Sequence, residues 1–150
     1  MELILWRHAD AEDGIPDAER KLTAKGLEQA ENMADWLKER LPKETVVLAS
    51  PAKRALQTAR ALSAKFETRP ELATGAAPQA VLEAAGWPHG AGAVVIVGHQ
   101  PTLGQAAALL LAGAAAEWSI KKGAVWWIAH RVRHGRPETV LRAVMSPELL

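Results

Sequence analysis

Three short apolar runs, each breaking directly into basic side chains, restrict this chain more than any other feature in it. The first, Leu3 to Trp6, has no polar interruption and passes straight into Arg7 and His8. The second, Val46 to Ala49, ends in Ser50-Pro51-Ala52-Lys53-Arg54, and the third, Val94 to Val97, ends in Gly98-His99-Gln100-Pro101-Thr102. A continuous apolar run of this length reads as a strand covered on both faces, the habit of a parallel sheet between helices. Open sheets of that kind keep their chemistry just outside the carboxyl ends of the strands. Arg7, His8, Arg54 and His99 are therefore expected to meet as a positive pocket at one edge of the sheet. An imidazole able to attack phosphorus beside guanidinium groups able to hold its oxygens is a phosphoryl site in outline.

The segments between the runs read as helices. Leu27, Ala30, Met33, Ala34, Leu37 and Leu41 recur at helical spacing, with Thr23 as N-cap, Leu22 and Leu27 as a hydrophobic staple, and Pro42 as the stop. Trp36 lies beside that stripe and reads as packing. Ser50 reads as the N-cap of a second helix with Pro51 at its first position. Arg54 then sits in the first turn, where free N–H groups add to its anion affinity. Ala55, Leu56, Ala59, Leu62 and Phe66 form the face that this helix buries.

Further on, Phe66 to Pro70 reads as a short edge strand, and Pro78 to Ala85 as a helix closed by Gly86. Pro101 and Thr102 open another helix, with Leu103, Ala107, Leu110 and Leu111 inward and Gly113 at its end. Ala124 to Val132 and Thr139 to Val144 read as a hairpin joined by Arg133 to Pro137, with Trp126 and Trp127 on opposite faces. His89, His130 and His134 read as ordinary surface or strand residues, and Ala11 to Lys21 as a solvated loop leaving the site. The expected architecture is a three-layer α/β/α sandwich with a mostly parallel central sheet, in one domain spanning residues 1–150.

Composition narrows the function. A formal net charge of +1 provides no global field for nucleic acid or an anionic membrane. The longest apolar run, Ala106 to Ala116, is interrupted by Gly113 and falls short of the roughly 20 residues of a spanning helix. Met1-Glu2 opens the chain without a basic leader, so a cytoplasmic protein is expected. The absence of cysteine removes disulfides and thiolate metal sites, and no carboxylate cluster stands out as a metal site. No cofactor is expected.

Arg7-His8-Ala9, Ser50-Pro51-x-x-Arg54-Ala55-x-Gln57-Thr58-Ala59 and Gly98-His99-Gln100-Pro101, in that order, resemble the histidine phosphatase superfamily, whose fold is phosphoglycerate mutase-like. The segment Asp17-x-x-Arg20-x-Leu22-Thr23-x-x-Gly26 is similar to its short SixA-like branch of phosphohistidine phosphatases. The resemblance implies that His8 is the nucleophile and that Arg7, Arg54 and His99 clamp the phosphoryl oxygens, with Arg20 adding a contact. Ala9 stands where the superfamily more often has glycine. Relatives that hydrolyse phosphate esters use a carboxylic acid to protonate the leaving oxygen, and Glu71 is the positional candidate, ahead of Asp10 and Asp17. The implied activity is a metal-independent phosphatase acting on phosphohistidine carried by a protein. A small phosphate-ester phosphatase or mutase, and a non-catalytic phosphate- or phosphoprotein-binding module, are the alternatives.

Overall fold

In the computed structural model, which describes residues 1–150, the apolar runs are strands of one six-stranded sheet. The chain runs through β1 (Glu2–Arg7), α1 (Ala24–Lys38), β2 (Val46–Ala49), α2 (Lys53–Leu62) and β3 (Glu67–Thr68). It continues through α3 (Pro78–Ala85), β4 (Ala93–Gly98), α4 (Thr102–Ala112), β5 (Val125–Arg133) and β6 (Arg136–Met145). Strand order is β3-β2-β4-β1-β5-β6, parallel from β3 to β1 and antiparallel across β5 and β6. The β-helix-β segments of the first two thirds account for the parallel part, and the terminal hairpin for the rest.

Alternation along each strand divides the interior into two cores. Leu3, Leu5, Leu48 and Ile96 face α3 and α4, meeting Val81, Ala85, Leu103 and Ala107. Ile4, Trp6, Val47 and Val95 face α1 and α2, meeting Met33, Ala34, Leu37, Ala55 and Ala59. Both faces of the parallel strands are covered, which is why the runs carry no polar residue. Trp127 is buried in the α1–α2 core, while Trp126 packs from the α3–α4 side. No helix is long and apolar enough to cross a membrane.

Four local expectations need correction. Thr23 caps α1 by accepting the Gly26 N–H, but Leu27 is 45% exposed and staples nothing. Gly26 takes the inward position because α1 approaches the Asp10 backbone so closely that a Cβ there would strike the Asp10 carbonyl, and Leu22 packs with Ala9 and Ala30 instead. Helix α1 also ends at Lys38, short of Pro42, and Leu41 reaches the core from beyond it. Ser50 is not the N-cap of α2; that position falls to Ala52, whose side chain has no capping group. The hairpin turn is only His134-Gly135, both at positive φ (50° and 74°), so the strands take in Arg133 and Arg136. Pro137, a loop signal in sequence, lies within the edge strand β6, where proline is tolerated.

Gly26→Ala is expected to lower unfolding free energy by about 1–3 kcal/mol, because backbone cannot retreat as a flexible side chain can. It should also displace Asp10, two residues beyond His8, and so depress activity. Urea unfolding of the purified variant checks the first effect, and a wild-type midpoint would refute the packing argument.

Candidate active site

Strand register builds the site. Arg7 of β1 lies opposite Gly98 of β4, and Ala49 of β2 opposite Val97. The pairing continues one residue past the strands: the His8 N–H donates to the Gly98 carbonyl at 3.1 Å, and the Ser50 N–H to the Val97 carbonyl at 3.0 Å. His8, Ser50 and His99 therefore leave three adjacent strand ends together. The two imidazoles lie 5.1 Å apart between ring centroids and are 7% and 3% exposed.

The tautomer of His8 follows from its partners. Its Nδ1 lies 2.8 Å from the Ala9 carbonyl, which can only accept, so Nδ1 carries the proton. The Nε2 lone pair is left to accept from Arg54 Nε at 3.3 Å. Ala9 is held in turn by Thr58, whose hydroxyl accepts the Ala9 N–H at 3.1 Å and donates to the Arg54 carbonyl at 2.8 Å.

Arg54, in the first turn of α2, is 3% exposed. Beyond its contact with His8, one terminal nitrogen donates to the Asp17 carbonyl at 2.8 Å. The other donates to Asp17 Oδ2 at 3.0 Å and to the Thr74 hydroxyl at 3.4 Å. The neighbouring Lys53 is a solvated cation. Arg7 donates from one terminal nitrogen to the Ile120 carbonyl at 2.9 Å, while its buried Nε has no partner. Arg20 is one step removed: it donates to the Glu12 carbonyl at 2.7 Å and to Asp17 Oδ1 at 3.0 Å, so it reaches Arg54 only through the Asp17 carboxylate.

Burial first, and then the nearby His99, Arg54 and Arg7, push the His8 pKa down to about 3, against the opposing pull of the Ala9 carbonyl. Burial and Arg54 push His99 down to about 4. Both imidazoles are neutral near pH 7, the form in which a nitrogen lone pair can attack phosphorus.

None of the three carboxyl candidates is poised as an acid. Glu71 is exposed and ion-paired with Arg69 at 3.0 Å; its own backbone N–H and then Arg69 hold its carboxyl below the usual carboxylate range. Asp10 is held low by the Thr23 hydroxyl and Lys122, and Asp17 by Arg20 and Arg54.

Sequence reasoning missed the supporting residues Asp17, Ser50 and Thr58 in the roles they occupy. The only signal for them was their place inside the quoted motifs. A surface cleft of about 530 Å³ between α1 and α2 is lined by Leu27, Glu31, Gln57 and Arg60 and holds none of the four clustered residues.

The histidine phosphatase superfamily (branch 1) matches residues 3–76. Phosphohistidine phosphatase SixA of Escherichia coli is 32% identical over 127 residues, covering 75% of this chain and 76% of that protein. An uncharacterized protein of Picosynechococcus is 36% identical over 115 residues, covering 70% of each chain. Among solved structures, that of the protein histidine phosphatase SixA complexed with tungstate superposes with a TM-score of 0.82 at 26% identity, covering 99% of both chains.

The depressed histidines make stability pH-dependent. Each takes up its proton in the unfolded chain near 6.5 but in the folded chain only near 3 or 4. Stability is therefore full above about pH 6.5 and falls as pH drops, by up to about 1.4 kcal/mol per pH unit for each histidine. Unfolding midpoints of wild type and His8→Asn between about pH 6.5 and 5, above the carboxyl range, check this; the variant should show the shallower slope.

Proposed function

The chain belongs to the histidine phosphatase superfamily, in its SixA-like branch, and its activity is that of a phosphatase; on that footing we propose that it removes phosphate from protein phosphohistidine, with His8 as the covalent carrier. The observation that carries the reading is the state of His8: a neutral imidazole whose Nε2 lone pair faces the Arg54 guanidinium. When a phosphoryl group arrives, Arg54 Nε exchanges that lone pair for a phosphoryl oxygen, freeing Nε2 to attack. The P–N bond to His8 forms as the bond to the leaving group breaks. Arg7, whose Nε is unpartnered, and Arg54 stabilise the charge spread over the transferring oxygens. Water then cleaves the His8 phosphoramidate and releases inorganic phosphate.

The leaving group selects the substrate. An alcohol departs as a strongly basic alkoxide unless a placed acid protonates it, and Glu71, Asp10 and Asp17 are each held ionised by cations or hydrogen-bond donors. A phosphohistidine needs less help, since its imidazole can be protonated in the ring before cleavage, with a free pKa of about 6.5. The segment that follows Glu71 also provides no spare chain for a lid: Thr74 is bonded to Arg54, the Ala76 carbonyl to Thr102 at 2.6 Å, and α3 packs on the sheet. A site without a lid admits a phosphorylated side chain on a protein surface, whereas small-ester enzymes gain from closing over their substrate. SixA of Escherichia coli, by name a phosphohistidine phosphatase, supports the same reading.

Two experiments test it. Rapid quenching with labelled substrate should yield an acid-labile, alkali-stable phosphoenzyme whose label maps to His8, and Arg54→Ala should lose about 10²-fold or more in kcat with the sheet and helices retained. Label on His99 or on a serine would overturn the assignment of the nucleophile. In the second experiment, kcat/KM for a phosphohistidine protein should exceed that for small phosphate esters, with Glu71→Gln altering the first only modestly. A strong preference for a small ester, abolished by Glu71→Gln, would replace this reading with an ester phosphatase.

A further inference from the structure

We propose that Ser50 is a positioning residue that selects the tautomer of His99, so that His99 offers a protonated Nδ1 to the phosphoryl group. The inference rests on the phosphatase activity of the site but not on which phosphorylated substrate it takes.

Ser50 is fully buried and its Oγ has two partners: it accepts the Ala52 N–H at 3.2 Å, and it lies 2.7 Å from His99 Nε2. A serine hydroxyl has one proton to donate and two lone pairs. If His99 carried its proton on Nε2, both lone pairs of Ser50 would be filled and its own O–H would be a buried donor with no acceptor. That arrangement costs about 1–3 kcal/mol. If Ser50 donates to Nε2 instead, its proton and one lone pair are used, and His99 Nδ1 alone stays open, where the other tautomer would leave both Nδ1 and the Ser50 O–H unpaired. The His99 proton then resides on Nδ1, because burial and the neighbouring Arg54 keep the ring neutral with a single N–H.

That Nδ1 is a buried atom without a partner in the chain, on a ring packed against His8. Phosphoryl oxygens can only accept, so a protonated Nδ1 binds them, whereas a bare lone pair there would repel them. Ser50 acts only through His99. The Ala52 N–H at the start of α2 completes the device by occupying one serine lone pair, which turns the hydroxyl proton toward the imidazole.

The wild-type protein decides the matter without substrate. Long-range ¹H–¹⁵N correlation spectra of the labelled full chain near neutral pH should show His99 protonated on Nδ1 with a bare Nε2. Protonation on Nε2, or a mixture of tautomers, would overturn the proposal whatever the enzyme's substrate proves to be. Ser50→Ala should lose the single tautomer and, with an aryl phosphate as substrate, about 10- to 100-fold in kcat with a smaller change in KM. Ser50→Thr, which restores a hydroxyl, should recover both. Wild-type kcat and an unchanged His99 spectrum in Ser50→Ala would equally refute the assignment.

Discussion

A buried guanidinium is the demand around which the loops of this protein are arranged. Arg54 is withdrawn almost wholly from water, and a charge so placed is tolerated only if its N–H groups are met. His8 meets one, the carbonyl and carboxylate of Asp17 meet two more, and Thr74 lies at the edge of range. The segments that carry these partners, 9–22 and 73–77, are thereby drawn to the mouth of the sheet. Asp17 is itself shared with Arg20, which is tied back to Glu12, so the loop is cross-braced across its base. One cation on α2 thus ties down both segments that border the candidate site.

The scaffold was legible because its signals were redundant. Uninterrupted apolar runs announced parallel strands; helical spacing, Gly86 and Gly113 bounded α3 and α4; and basic residues at three strand ends predicted a common site. The run Val94 to Val97 lies wholly within β4, since glycine bounds it and β-branched residues fill it. What failed was local and had a competing explanation. Ser50-Pro51 is a good helix start by composition, yet the Ser50 hydroxyl is taken by His99, so the cap falls to Ala52. Leu27 fits the apolar stripe, yet the close passage of the Asp10 backbone demands Gly26 on the inner face. Neither outcome is visible without knowing which distant backbone or ring lies opposite.

The motif around Arg54 shows how much of a signature is support and how little is chemistry. Gln57 accepts the N–H of Leu22 at 2.7 Å, and Thr58 bridges Ala9 to the backbone of Arg54. Ala55 and Ala59 are fully buried against the sheet, where a larger side chain would push α2 outward. Gln100 plays the same supporting part after His99, accepting the Gly104 N–H and donating to the Trp118 carbonyl. Sequence reasoning could recognise the spacing but could not say which member touches substrate, because each is small or neutral and acts through another residue.

Two of the three buried polar groups the fold leaves unmet belong to the clustered site residues. Across the chain, three buried side-chain atoms lack a hydrogen-bond partner: Arg7 Nε, His99 Nδ1 and Ser146 Oγ. Each such group costs of order 1–3 kcal/mol, so a fold does not accumulate them by chance. Two of the three belong to side chains that leave the neighbouring, paired strands β1 and β4, and on the tautomer assigned to His99 both are donors. The three candidate carboxylates are by contrast engaged, Asp10 with Thr23 and Lys122, Asp17 with Arg54 and Arg20, and Glu71 with Arg69. Acceptors are spent at the rim while donors are kept open in the interior, which is the polarity a phosphoryl group requires and the opposite of what a cationic ligand would need. The same withdrawal from water keeps His8 neutral, so burial provides an imidazole lone pair and a rigid set of donors by one physical cause.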